Sequence, residues 1–372
     1  MILLALFGFL IVIGPLVFVH ELGHYWVGRL FGIKAEVFSI GMGREITGWN
    51  DKRGTRWKLS MLPIGGYVKF AGDMGPSGRS DPAWLRLPPA ERAQTFQAKP
   101  LWQRFLVVAA GPVTNFLLAI AIFAGFFAAF GVPRTPAVIR IVLPHSAAER
   151  AGLHVGDRIT RVGDREVDRF EDIAQFVAFR PGEAMTIEAM RGGRLITLSA
   201  VAGTDKQTDR FGNVMERGLL GIAPGPAEIA PAGPIEIARA SADHTFGIVR
   251  TMVDVIGQIV TGRRSAKELG GPIQIAKFSG EQVSMGPLAV IEFMAMISIN
   301  LGFINLLPIP MLDGGHLFFY LFEGVRRRPL PEWVQEWAFR SGLVLLLGFM
   351  AFVTLNDLGS LGLWQKLAGL IG

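Results

Sequence analysis

The sequence predicts an α-helical polytopic membrane protein: four transmembrane helices with a β-rich domain inserted between the second and third. Three observations carry that expectation. Four stretches are apolar enough and long enough to cross a bilayer. Half of the 372 residues are hydrophobic and only 18% are charged, with mean hydropathy +0.39. The long connection between stretches two and three alternates apolar and polar residues, as half-buried strands do.

The first span runs from Ile2 to beyond His24, and Met1–Val19 hold no ionisable side chain. No positive n-region precedes this stretch and no A-x-A-like site follows it, so it is expected to be a retained span and not a cleaved signal. The second, Phe105–Val132, is uncharged throughout. The third, Leu288–Leu312, carries Glu292 near its start and Pro308 and Pro310 near its end. The fourth, Trp337–Asn356, has Arg340 at one margin and is expected to be the shortest.

Lysines and arginines set the orientation. Eleven lie within residues 44–104 and four within 322–340, including Arg326-Arg327-Arg328. Both loops are therefore expected in the cytoplasm, with both termini and the long connection outside, and His20 and His24 toward the cytoplasmic end of span one. The sequence pI near 9.8 does not indicate nucleic acid, because the basic residues flank apolar spans and form no aromatic-bearing binding motif. With no cysteine, disulfides, thiolate zinc sites and cysteine nucleophiles are excluded.

Within the external segment, residues 137–203 read as a small β-rich domain. Runs 137–142, 184–189 and 194–198 are strand-like, and 169–179 has a helical pattern. Residues 204–233, rich in Gly, Pro and Asp, read as a linker. Residues 235–260 place Ile248, Met252, Val255 and Ile259 at helical spacing, which suits an amphipathic helix on the membrane surface or one packed on the small domain. The core-facing organisation closes with residues 287–372, the third and fourth spans. No internal repeat is apparent.

The chemistry concentrates in His20-Glu21-Leu22-Gly23-His24. On a helix, residues four apart share a face, so both imidazoles can grip one Zn²⁺, and Glu21 can reach the attacking water and take its proton. Ionisable groups at membrane depth usually mark function, because hydrocarbon makes them costly. A catalytic zinc needs a third protein ligand and an open position. Asp313 follows the two prolines that must interrupt the third span, and unwound backbone at that depth is tolerated only where protein or a wet cavity covers it. His316, three residues on, competes with Asp313 for that role. His145, His154 and His244 fall in the external segment, across the membrane from the motif.

On these motifs the chain resembles the site-2 proteases, intramembrane zinc metalloproteases, and specifically the bacterial type that cuts membrane-bound anti-sigma factors. His20–His24 resembles the family's zinc motif, and Asn305 through Asp313-Gly314 its second signature. Gly111-Pro112-Val113-Thr114-Asn115 matches the Gly-Pro-x-x-Asn start of its second span. Phe38–Gly43 and Pro63–Lys69 match a β-hairpin, about residues 33–70, that dips into the membrane after span one. The resemblance implies Zn²⁺ held by His20, His24 and Asp313, Glu21 as base, and Asn305 contacting the substrate backbone. Strands at 33–40 and 58–69 would hold an unwound substrate by strand addition, which makes Gly41, Gly43, Gly65 and Gly66 candidate substrate contacts. It also implies that residues 137–203 are a PDZ domain, with Ala151-Gly152-Leu153 to Gly156-Asp157 in the usual place. The implied partners are single-span membrane substrates already trimmed outside by another protease, and the implied location is the bacterial inner membrane. The chain differs from the best-known members in having room for one PDZ domain and in carrying an insertion, residues 74–100, rich in Pro, Arg and Ser.

Two rival functions fit parts of the pattern. A membrane-anchored PDZ adaptor with structural zinc conflicts with a three-ligand site, since structural zinc usually has four protein ligands. An ion or zinc transporter would be expected to show a second matching half, which the four spans lack.

Overall fold

In a computed structural model of the chain, residues 2–72, 82–208, 214–225, 228–263, 265, 270–328 and 330–360 are described. Residues 74–81 of the expected insertion and parts of the expected linker lie outside these. Helix α1 (Ile2–Leu30) is followed by strands β1 (Ala35–Asn50) and β2 (Arg56–Phe70), a 3-10 turn (Pro82–Arg86), α2 (Pro89–Arg92) and α3 (Leu101–Phe130). Then come β3 (Val132–Arg134), β4 (Ile141–Val142), α4 (Ala147–Arg150), β5 (Arg158–Val162), β6 (Arg165–Glu166) and α5 (Phe170–Ala178). Strands β7 (Ala184–Arg191), β8 (Arg194–Val201), β9 (Gly203–Thr208), β10 (Val214–Leu219), β11 (Ile222–Ala223) and β12 (Glu228–Ala230) precede α6 (Pro234–Val260). The chain continues through α7 (Pro272–Met285), α8 (Pro287–Leu306), α9 (Asp313–Arg326) and α10 (Glu332–Ser360).

Among the described residues, four helices are long and apolar enough to cross a membrane: α1, α3, α8 and α10. The third span ends as a helix at Leu306, two residues before Pro308, and Asp313 opens a separate helix, α9. The fourth span is not the shortest. α10 has 29 residues against 20 for α8, because the polar turns around Glu336 and Arg340, joined by a 2.7 Å ion pair at i,i+4, extend the helix beyond its apolar core.

The described residues of 1–123 and 270–357 form one compact unit, and those of 124–269 with 358–360 another. In the first, α1 crosses α7 with backbones nearly touching. A Cβ on Gly8 would lie 2.7 Å from the Ser279 carbonyl carbon, and one on Gly280 would lie 2.8 Å from Ala5 Cα. Small residues permit this approach and the dispersion contacts it brings. Asp357, buried in α10, accepts backbone N–H bonds from Gly271 (3.0 Å), Ile273 (3.1 Å) and Gln274 (3.2 Å), so it caps the start of α7.

Strands β1 and β2 pair antiparallel, and each turns a corner. Ile40 therefore faces both Gly66 and Leu59, while Glu45–Asn50 run against Arg56–Ser60. Gly41, Gly43 and Gly65 form the corners at φ +84°, +88° and +74°, a region in which a Cβ costs roughly 1–2 kcal/mol. The inner half of the hairpin packs on α1 and α3 in a cluster of Tyr25, Phe38, Phe70 and Val107. Ser39 Oγ, fully buried, donates to Gly41 O (2.8 Å) and lies 3.0 Å from Ser60 Oγ.

In the second unit, β6-β5-β7-β8 form an antiparallel sheet whose inner face meets α5 over Ile159, Ile173, Phe176 and Ile187. β7 and β8 cover the strand-like runs at 184–189 and 194–198. Asp157, 1% exposed, accepts two 2.7 Å bonds from Arg191, which also donates to Gly152 O. Residues 204–233 are not simply a linker. β9 pairs with β10, β11 pairs with β4, and Leu220 is buried in the core of this unit. The apolar run Leu219-Leu220-Gly221-Ile222, masked by its Gly- and Pro-rich flanks, supplies these contacts. Helix α6 is held to the small sheet domain, since Asp254 accepts from both Arg165 (2.9 Å) and Arg180 (3.3 Å). Of its apolar residues, Ile235, Phe246, Val253, Ile256 and Val260 remain exposed.

Candidate metal centre

Helix α1 brings His20 and His24 to one face, with Nε2 atoms 3.3 Å apart. The break after Leu306 turns the chain through Pro308, Pro310 and a left-handed Met311 (φ +86°). This turn places Asp313 at the head of α9, with Oδ2 3.1 Å from His20 Nε2 and 3.5 Å from His24 Nε2. One ligand atom from each residue lies within 4.8 Å of the others, the only such group of three among the described residues. The glycines after Asp313 make the turn possible. A Cβ on Gly315 would lie 2.5 Å from Ile309 O, and one on Gly314 would overlap the Leu306–Leu307 backbone.

These residues fit a metal ion. Asp313 Oδ2 is buried without a hydrogen-bond partner, beside two imidazole nitrogens, each of which offers a lone pair when the proton sits on the other nitrogen of its ring. Buried acceptors facing one another are costly unless a cation or proton joins them. The remaining ring nitrogens are held by α3. His24 Nδ1 lies 2.9 Å from Val107 O, and His20 Nδ1 lies 3.1 Å from the Asn115 carboxamide. Gly111 leaves the necessary space, because a Cβ there would overlap the His24 ring and lie 2.9 Å from His20 Cε1. Two imidazoles and a carboxylate make a donor set that suits Zn²⁺ with one position open.

Each residue singled out from sequence has a definite place. His316 stands outside the cluster and packs on Phe339, ring centroids 5.1 Å apart. Glu21 faces β2, where a Cβ on Gly66 would lie 3.1 Å from Glu21 Cγ and 3.0 Å from Val17 Cγ1. Gly66 is thus brought to the site. Gly41 and Gly43 lie instead against Leu62 at the corner of the sheet, and Gly65 against Met42. Asn305 is half-buried in the last turn of α8, one residue before the helix ends.

The sequence motif Gly111–Asn115 contains two of these residues, Gly111 and Asn115, but gives neither a role, and nothing in the sequence singles out Ser298 or the Val107 carbonyl. The signal for Asn115 was available: it is the lone carboxamide in an uncharged apolar span. Backbone carbonyls leave no such trace.

The sequence matches known proteins over nearly its whole length. Residues 8–349 match peptidase family M50. A protein of Agrobacterium fabrum named "putative zinc metalloprotease" is 44% identical, over 95% of this chain and 95% of its own. One so named in Rhizobium meliloti is 42% identical, over 94% and 95%. The metalloprotease MmpA of Caulobacter vibrioides is 34% identical over 99% of this chain and 98% of its own. A solved PDZ domain from Listeria monocytogenes covers 25% of this chain and 90% of its own at 17% identity, with a TM-score of 0.19, too slight a likeness to assign a fold. The chain belongs to peptidase family M50, the site-2 proteases, and is a zinc metalloprotease.

Proposed function

We propose that the chain is an intramembrane protease that cuts a transmembrane segment of single-span proteins, with His20, His24 and Asp313 as zinc ligands and Glu21 as the general base. The observation that carries this reading is the convergence of two imidazoles and a carboxylate beside Glu21, on helices apolar enough to span a bilayer. Bound zinc supplies Lewis acidity to the attacking water and to the scissile carbonyl. Glu21 takes the water proton and delivers it to the leaving amide nitrogen. Asn305, in the last turn of α8, bonds the substrate backbone. β2 passes Glu21 at Gly66 and offers an edge for strand addition to a substrate helix that has unwound.

The substrates are anti-sigma-factor-like proteins already trimmed by a first extracytoplasmic cut, so the reaction belongs to regulated intramembrane proteolysis. The small sheet domain acts as a PDZ module outside the bacterial inner membrane. It excludes substrates with bulky external domains by size, and a second role is capture of the new C-terminal carboxylate. Its balanced charge, nine Lys or Arg against nine Asp or Glu over 137–203, favours size over charge steering. Both termini lie outside and the metal centre faces the cytoplasm, as the basic loops direct.

The test is zinc content together with cleavage of single-span substrates in detergent, by wild type and Glu21→Gln. Zinc retained with cleavage lost supports the assignment. Zinc retained with cleavage unchanged in Glu21→Gln overturns the role of Glu21, whereas bound zinc with no cleavage by the wild type favours an adaptor.

A further inference from the structure

We infer that Asn115 is a positioning residue for the metal centre: its carboxamide oxygen accepts the His20 Nδ1 proton and so leaves the Nε2 lone pair bare for the metal. The inference rests on His20 being a ligand, as proposed above. A neutral imidazole carries one N–H, and the nitrogen that binds a metal must be the other one. Whatever holds the far nitrogen therefore chooses the ligating tautomer.

For His24 the choice is fixed by chemistry. Its Nδ1 lies 2.9 Å from Val107 O, a carbonyl that can only accept, so Nδ1 bears the proton and Nε2 is bare. His20 has no carbonyl in that place. It has Asn115, fully buried, with the carboxamide 3.1 Å from Nδ1. The two ends of a carboxamide have nearly the same shape and exchange by a half-turn of the group. With the NH₂ end toward His20, the proton is forced onto Nε2 and Asn115 Oδ1 is left buried without a partner. With the oxygen toward His20, Nδ1–H is satisfied and Nε2 is free. The second arrangement makes His20 match His24.

Asn115 also ties this choice to the rest of the site. Its backbone carbonyl accepts a 2.8 Å bond from Ser298 Oγ, and both residues are fully buried. Ser298 lies on α8, the helix that leads through the proline turn to Asp313. One residue of α3 thus contacts the helix bearing the two histidines and the helix leading to the carboxylate.

The experiment uses the full chain in detergent, with Zn²⁺ affinity measured by competition with a chromophoric chelator. Visible absorption of the Co²⁺-loaded protein reports coordination geometry, and thermal melting reports folding. Asn115→Leu keeps the shape and removes the bond, whereas Asn115→Asp can only accept, as Val107 O does. Asn115→Leu is expected to weaken Zn²⁺ binding about 10–100-fold and alter the Co²⁺ spectrum, while Asn115→Asp stays within about threefold of wild type. Folded Asn115→Leu that binds like wild type, or Asn115→Asp as weak as Asn115→Leu, overturns the inference. If Asn115→Leu does not fold, Asn115→Asp decides alone, since weakened binding there contradicts an accepting role. His20→Ala is the reference: wild-type binding in that variant overturns the ligand assignment itself, whereas loss there with Asn115→Leu unaffected overturns only the role of Asn115.

Discussion

The Tyr25 hydroxyl donates to Asp51 Oδ2 across 3.2 Å, which fastens the turn of the β1–β2 hairpin to the helix that carries His20, Glu21 and His24. The same carboxylate accepts from Trp57 Nε1 (3.1 Å) and from the backbone N–H groups of Arg53 (2.8 Å) and Thr55 (2.9 Å). Burial alone would raise its pKa. The donors from Thr55, Trp57, Arg53 and Tyr25 outweigh burial and hold it at about 2. Because the folded value lies below the unfolded one, near 3.9, this stabilisation is complete above about pH 4 and is lost as pH falls through 2. Asp51→Asn should destabilise the protein by about 1 kcal/mol near neutrality. Thermal melting against pH checks it: the gap between the two proteins should narrow from about pH 4 and close as pH falls through about 2, and a pH-independent gap would count against the charge.

Removal of the metal by a chelator should abolish cleavage, and added Zn²⁺ should restore it. His20→Ala, His24→Ala and Asp313→Ala should each lose zinc, measured by atomic absorption on purified protein, whereas His316→Ala should keep it. Zinc loss in His316→Ala with normal zinc in Asp313→Ala would exchange the two roles.

Gly111→Ala should remove metal binding while leaving the spans folded, because the new methyl group occupies the space of the His24 ring. Overpacking of this kind typically costs 1–3 kcal/mol, roughly, when neighbours can move. Gly125→Ala is the control on the same helix, since nothing lies within 4 Å of a Cβ there. Paired measurements of zinc content and melting temperature decide, and equal zinc in the two variants would refute the packing argument.

Asp254→Ala should release α6 from the small sheet domain. It strands Arg165 and Arg180, whose side chains are only 11% and 17% exposed, and a partly buried charge without its partner is costly. Hydrogen exchange should accelerate in α6 and at the 3-residue approach to α5, by roughly tenfold for a loss near 1.4 kcal/mol. Unchanged protection of α6 would show that its apolar contacts alone hold it.

A cysteine placed at Arg327 should be labelled from the cytoplasmic face, and one at Glu166 from outside. Glu166 is suited to this because its side chain is 81% exposed. Labelling of Arg327 from outside would invert the orientation and separate the site from the cytoplasm.

Much of this architecture was legible because hydrocarbon imposes simple rules. A span must be long and apolar, so α1, α3, α8 and α10 could be read from composition, and Pro308 and Pro310 announced the break before Asp313. His20 and His24 were legible because helical spacing alone puts them on one face. The limits were equally physical. The apolar core of the fourth span begins only after Arg340, yet an ion pair and ordinary helix propensity carry α10 back to Glu332. Leu220 was hidden because four residues of apolar pattern are too few to stand out among glycines and prolines. Asn115 and Asp357 act through geometry between distant segments, 95 residues from Asn115 to His20 and 86 from Asp357 to Gly271. No local pattern encodes a partner that far away.

The cap that Asp357 places on α7 has a consequence for the order in which the chain is made. The helical unit draws on residues 1–123 and 270–357, while residues 124–269, nearly the whole of the second unit, form one continuous stretch between them. A growing chain can therefore make nearly all of the inserted unit before the second segment of the helical one has been synthesised. His20 and His24 emerge early but wait for Asp313, and α7 stays uncapped until residue 357 has left the ribosome. With the ligand set proposed above, the metal centre is complete only after more than four-fifths of the chain has been made.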